Sequence, residues 1–342
     1  MSSLPFRRPN ATLLLPVVAV LGLAASLAAC GSSDSPQAAD GKLVVATTVA
    51  PITSIAANVG GDRVAIEGIV PEGTNSHTFE PAPQVAELLS RADVVFVNGL
   101  QLEEPTKELA QANLKDGAQI VDIGEQVLPP SKYIYDFSFP KEDGKPNPHL
   151  WTDPVYAAKY AQVIADTFAA KDPGNADYYQ ANAKAFEAKT RELAAALRTD
   201  QKTVPDGNLR LLTYHDAYAY FAKTFGWQVI GAVQPKDFED PTPQEVAALI
   251  DQVKAENVPT IFGSEVFPSA VLEEIGRATG ARYEDTLRDD DLPGAPGEPD
   301  HSWLGLMRYD FITMIKGLGG TATNLEKVTV TNVAPDDASY PQ

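Results

Sequence analysis

The sequence predicts an α/β protein of two lobes, each with a mainly parallel sheet flanked by helices, joined by a long helix. Short β-rich runs alternate with helical patterns in two separate sets, and a purely helical stretch lies between them. The length of 342 residues, 44% of them hydrophobic, is enough for two cores of ordinary size.

The first set begins with LVVATT (43–48), VAIEGIV (64–70), DVVFVN (93–98) and QIVDI (119–123), with a helix expected from Pro83 over PQVAELLSRA. Strands separated by helices must be joined by crossovers, so neighbouring strands run parallel. After Pro154 the pattern is helical, broken by DPGN (172–175), where Asn175 is placed to cap a second helix. In that helix Tyr179, Ala183, Phe186, Leu193 and Leu197 fall on one face, and Pro205-Asp206-Gly207 ends the region. A helix of about 25 residues spans roughly 38 Å, long enough to run behind both lobes. The second set comprises strands at 209–214, 227–233, 259–264 and 281–283, with helices expected at 216–225, 242–256, 268–279 and 303–318. The tail after Thr331 is expected to be loose strand or coil. The expected division is therefore a leader (1–29), a lipidated cysteine and tether (30–42), a first lobe (43–174), a connecting helix (175–200) and a second lobe (201–342).

The leader is inferred from Arg7 and Arg8 followed by an apolar run that ends in LAAC at Cys30. That ending resembles a bacterial lipobox, cut before Cys30 so that this cysteine carries lipid; an uncleaved anchor helix is the alternative. The polar GSSDSPQAAD (31–40) suits a flexible tether. Cys30 is the only cysteine, so the exported domain forms no internal disulfide. With 27 basic and 46 acidic residues the net charge is −19, and loss of Arg7 and Arg8 takes it to −21, which argues against nucleic acid as a partner.

Three of the four histidines share one kind of position, the strand-to-helix turn at which open α/β sheets bind ligands. His77 lies in SHTFEPAPQ, His149 in NPHLWTDP and His215 in TYHDAYAYFA. The positive end of a following helix disfavours the charged ring, and a neutral imidazole is what a metal ion needs. A carboxylate from a matching turn would complete the set. Asp285 directly follows the last short strand, and Glu265 in FGSEVFP stands at another strand end. The run Asp289, Asp290, Asp291 is expected to be a solvated loop, and His301 is expected to be exposed.

SHTFEPAPQ, VVFVNGLQLE, NPHLWTDP, HDAYAYFA, IFGSE and EDTL occur in the order seen in the metal-binding lipoproteins of zinc and manganese ABC transporters, and the chain resembles the substrate-binding subunit of that family over nearly all its mature length. The resemblance implies two α/β lobes joined by one long rigid helix, with His77, His149, His215 and Asp285 as metal ligands. It implies capture of Zn²⁺ between the lobes and delivery to a membrane permease, by a monomer tethered to the membrane through lipid on Cys30. Family members with histidine at the third position tend to bind zinc and those with glutamate manganese; here it is His215. Many zinc members carry a histidine-rich loop before the second ligand, whereas residues 124–146 contain no histidine. Trp303 and Asp310 stand where the family often has tyrosine and asparagine.

Three imidazoles and one carboxylate suit four-coordinate Zn²⁺ at roughly 2.0–2.2 Å, while Mn²⁺ prefers more oxygen and remains the alternative cargo. Glu80, Asp216 and Glu265 are candidates to accept ring N–H bonds behind the ligands. No G-x-x-x-x-G-K-S/T occurs, so ATP hydrolysis falls to a separate partner ATPase. A zinc hydrolase would keep a ligand position open for water, but H-E-x-x-H and G-x-S-x-G are both absent. A metal-dependent surface adhesin on the same fold is a further reading. No enzymatic activity is expected.

Overall fold

The computed structural model describes residues 41–342, except positions 235, 237, 239, 240 and 267–269 and the side chains of Glu284 and Asp285; the expected leader and Cys30 lie outside the described residues. The first half opens with β1 (Leu43–Thr47), α1 (Ala50–Gly60) and β2 (Val64–Gly68), and continues with α2 (Val85–Arg91), β3 (Val94–Val97), α3 (Glu104–Asn113), β4 (Gln119–Asp122) and α4 (Ile123–Val127). All four strands are parallel, in the order β2-β1-β3-β4. Every residue of β3 is buried, as expected for a central strand covered on both faces. Every residue of α1 is buried too, because its sequence is apolar or small all round and α5 and α6 cover the side away from the sheet. Gly61, at φ +52°, turns the chain out of that helix.

Helix α5 (Pro154–Lys171) starts at the Asp-Pro pair: Asp153 Oδ1 accepts the Val155 N–H at 2.9 Å while Pro154 takes the first helical position. The long helix α6 (Ala176–Asp200) has 25 residues and buries Tyr179, Ala183, Phe186, Thr190, Leu193 and Leu197. Asn175 precedes α6 without capping it by its side chain, which instead donates to Asp172 Oδ2 at 2.7 Å.

The second half repeats the winding with β5 (Arg210–Thr213), α7 (Ala219–Phe225), β6 (Gln228–Ala232), α8 (Pro243–Glu256), β7 (Thr260–Ser264), α9 (Ala270–Thr279), β8 (Arg282–Leu287) and α10 (Trp303–Gly317). The strands are again parallel, in the order β6-β5-β7-β8. Between β7 and β8 the register shifts: Ile261 faces Tyr283, but Gly263 faces Thr286. Three steps on β8 thus answer two on β7, which is a bulge.

One large apolar cluster joins the first sheet to α1, α5, α6, α7 and α10, with Trp151, Tyr160, Phe186 and Trp303 all fully buried. A smaller one, including Ile230, Val253, Ile261, Leu272 and Ile275, seals the second sheet under α8 and α9. The tail is mostly coil, as expected, but it returns to the first half. There the Gly68 N–H donates to the Ser339 carbonyl at 2.8 Å and the Ser339 N–H to the Ile66 carbonyl at 2.9 Å. No helix among the described residues is long and apolar enough to cross a membrane.

Candidate metal centre

The three predicted histidines meet where the two sheets' strand ends face each other. His77 sits in the loop after β2, its backbone N–H bound to Asn75 Oδ1 at 3.0 Å. His149 is held by the Asn-Pro turn before it: Asn147 Oδ1 accepts both the His149 backbone N–H, at 3.1 Å, and the Nδ1 proton, at 2.9 Å. His215 lies two residues past the end of β5 and donates from Nδ1 to Gln234 Oε1. Since both oxygens accept, the Nδ1 protons of His149 and His215 are committed, and each Nε2 carries a lone pair.

Those Nε2 atoms point at one another. His149 and His215 approach to 2.9 Å, and His77 Nε2 lies 3.2 Å from each. Tetrahedral ligands at about 2.0–2.1 Å from a Zn²⁺ ion stand about 3.3 Å apart, so the triangle has the scale of one face of such a shell. Two lone pairs at 2.9 Å with no proton between them repel, and a cation at their focus removes the repulsion. Burial pushes all three imidazoles below their ordinary range, His215 to about 4, so each is neutral at pH 7 without having to shed a proton.

A carboxyl group stands beside two of the three. Asp289 Oδ2 lies 3.5 Å from His215 Nε2 and 3.9 Å from His149 Nε2. Its carboxyl is raised well above the usual range, first by burial and then by Glu265, Asp290, Asp310 and Asp291 around it. Crowding of this kind favours an added positive charge. Trp151 Nε1 fixes the turn by donating to the Asp289 carbonyl at 2.8 Å. The walls are aromatic: Phe238 stacks on His77 at 4.3 Å, and Phe139 packs 5.5 Å from His77 and 5.7 Å from His149. A cavity of about 50 Å³ reaches His77 between Phe139, Phe238, Lys145 and Lys236.

Residues 45–317 match the family profile described as ZnuA, zinc-uptake complex component A, periplasmic. The chain belongs to the ZnuA family. It is 29% identical to the manganese-binding lipoprotein MntA of Halalkalibacterium halodurans, over 88% of this chain and 97% of that one. It is 28% identical to the metal ABC transporter substrate-binding lipoprotein FimA of Streptococcus parasanguinis, over 85% and 94% of the two chains. Its fold is similar to that of the Mn-bound periplasmic metal binding protein of Candidatus Liberibacter asiaticus, at 26% identity and a TM-score of 0.71, covering 81% of this chain and all of that one.

Several sequence expectations change in this ZnuA-family chain. The Asp289–Asp291 run is not solvated; its members are 4%, 6% and 8% exposed, because Glu265 and the loop preceding His77 fold over them. Asp285 lies in β8, and its side chain is outside the described residues; among the described carboxylates it is that of Asp289 that faces the imidazoles. His301 is 3% exposed rather than open to solvent, lies apart from the other three, and has Glu72 Oε1 at 3.7 Å from its Nε2. The ring N–H bonds of His149 and His215 go to Asn147 and Gln234. Of the carboxylates proposed for that task, Glu80 is exposed, Asp216 Oδ2 accepts the Ser138 N–H at 3.1 Å, and Glu265 accepts backbone amides. Asn147 was within reach of sequence reasoning, two residues before His149 in the same turn. Gln234 carried no local signal, since only the pairing of β5 with β6 brings it beside His215.

Proposed function

We propose that this chain is an extracytoplasmic receptor that captures Zn²⁺ between its lobes and delivers it to an ABC transporter permease driven by a separate ATPase. His77, His149 and His215 bind through Nε2 and Asp289 through Oδ2, with lipid on Cys30 as the tether. The observation that carries the reading is the triangle of Nε2 atoms at 2.9–3.2 Å, two of them presenting proton-free lone pairs aimed at one point. Membership of a zinc-uptake family and the names of its relatives support transport over catalysis. A fourth protein ligand also closes the position that a hydrolytic zinc site keeps for water.

The donor set favours zinc, because three imidazole nitrogens and one carboxylate match its preferred shell. Manganese is the second reading, favoured by the manganese-binding relative. Elemental analysis of protein purified without added metal, with calorimetric competition between Zn²⁺ and Mn²⁺, separates the two. Replacement of His149 or His215 by Ala should cost at least about 100-fold in affinity for the preferred ion, and unchanged affinity would end the proposal. Asp289→Asn and Asp285→Asn, measured side by side, decide the fourth ligand. The assignment to Asp289 fails if only the Asp285 variant loses affinity.

A further inference from the structure

The loop that presents Asp289 does a second job. The backbone N–H groups of Asp289, Asp290 and Asp291 all donate to Glu265 Oε1, at 2.8, 3.2 and 3.3 Å, three successive amides around one buried oxygen after β7. With its backbone anchored there, the loop reaches across to the other half. Asp291 accepts the Gly73 N–H with both oxygens, at 2.9 and 2.8 Å, and Asp290 Oδ2 accepts the Ser76 N–H at 3.2 Å. In return the Leu292 N–H donates to Glu72 Oε1 at 3.3 Å. Residues 72–76 run directly into His77, so the segment carrying one imidazole is clasped by the loop carrying the carboxylate.

His77 needs such support. His149 and His215 are fully or almost fully buried, with Nδ1 committed to an amide oxygen, whereas His77 is half-buried and no described hydrogen bond reaches its Nδ1. Its ring is held by the stack on Phe238, and its backbone by the turn at Asn75.

We propose that Asp291, assisted by Asp290, is a positioning residue that latches the His77 segment onto the second lobe, so that closing the lobes and completing the ligand set are one event. The inference rests on the metal-receptor reading above. An ion held by all four ligands then leaves only after the bonds from Gly73 and Ser76 are broken, which places the latch in the dissociation rate. Bonds to a buried carboxylate are stronger than neutral ones, and loss of the one that the Gly73 N–H shares between the two Asp291 oxygens should accelerate release by about tenfold.

The test is stopped-flow release of Zn²⁺ into excess chelator from the wild type, Asp291→Ala and Asp291→Asn. The Ala variant should release at least about tenfold faster, and the Asn variant, which retains one acceptor, by a smaller factor, with association changed less than twofold. In a His77→Ala background, Asp291→Ala should add nothing, because the latch acts through that imidazole. Hydrogen exchange of the zinc-loaded Asp291→Ala protein should speed up at residues 73–78 and stay unchanged in α10. Equal release from wild type and both variants would overturn the latch, and so would the same acceleration in the His77→Ala background, which would show general loosening. A wild type that takes up no zinc is a different result and defeats the receptor reading instead.

Discussion

The first sheet, ordered β2-β1-β3-β4, and the second, ordered β6-β5-β7-β8, are products of the same winding, yet they are held differently. The first shares one apolar cluster with α1, α5, α6 and α10 on one face, is sealed on the other by a small cluster that includes Leu88, Leu89 and Ala110, and pairs without a register shift. The second enters the same large cluster through Leu211 and Phe262 and is likewise sealed on its outer side by a cluster of its own, but its register shifts twice, in β5–β6 and in β7–β8. Their strand ends differ as well: the first half contributes His77 and His149, and the second contributes His215 with a crowd of buried carboxyls around Asp289. A sheet of unbroken register on one side and a bulged, charge-crowded edge on the other is a sound division for a receptor that must release its cargo.

Breaking the shared cluster should have the largest effect. Phe186, fully buried on α6 with its ring 5.4 Å from that of Trp303, belongs to the cluster that ties both halves to the long helix. Phe186→Ala should cost about 4 kcal/mol in urea unfolding and raise hydrogen exchange in both halves. Leu272→Ala, in the smaller cluster, should cost about 3 kcal/mol and raise exchange mainly in α8, α9, β7 and β8. If it loosens β1 and β3 equally, the two halves do not differ in the way described.

The pH dependence sharpens the comparison from the other side, through a carboxyl of the first half that is not among the candidate ligands. Burial pushes Glu103 up to about 7, although the Thr48 hydroxyl and the Asn98 and Gly99 N–H groups all donate to it. Between an unfolded value of 4.5 and about 7 the folded chain holds a proton that the unfolded chain has lost. Stability therefore falls as pH rises through that window, by up to about 1.4 kcal/mol per pH unit, and levels off above it. Glu103→Gln should remove this part of the slope in denaturation curves measured from pH 4 to 8, and an unchanged slope would assign it to other carboxyls. The smallest effect is expected at α8, where Thr242 and Glu245 form a reciprocal cap. Thr242→Ala should cost about 1 kcal/mol, with faster exchange confined to that helix.

The sequence alone showed much of this architecture, and its failures are specific. Strands placed at 43–48, 64–70, 93–98 and 259–264 correspond to β1, β2, β3 and β7, because a buried parallel strand is a short apolar run with turn residues at each end. The long helix was readable from Tyr179, Ala183, Phe186, Leu193 and Leu197, since a 3.6-residue period over many turns has no other use. The expectation for Asp289–Asp291 failed because three adjacent aspartates look solvated until Glu265, 24 residues earlier, is seen to gather their amides. His301 was misplaced for a similar reason: the polar loop around it is covered by the returning tail, with Tyr340 packed edge-on at 4.7 Å.

What the residues settled unaided is local: the alternation of strand and helix, and three histidines at strand-to-helix turns, where short-range periodicity and turn chemistry dominate the free energy. That Asp289, among the described carboxylates, stands beside two of those imidazoles depended on the paired chain. The bulge between β7 and β8 inserts a residue ahead of Thr286, and Asp289 reaches the imidazoles from the loop beyond that strand. No alternation within a single strand records that shift, because it arises from hydrogen bonds between segments about twenty residues apart. The same holds for Asn147 and Gln234, whose service to His149 and His215 exists only once the turns and sheets have brought ring and amide to bonding distance.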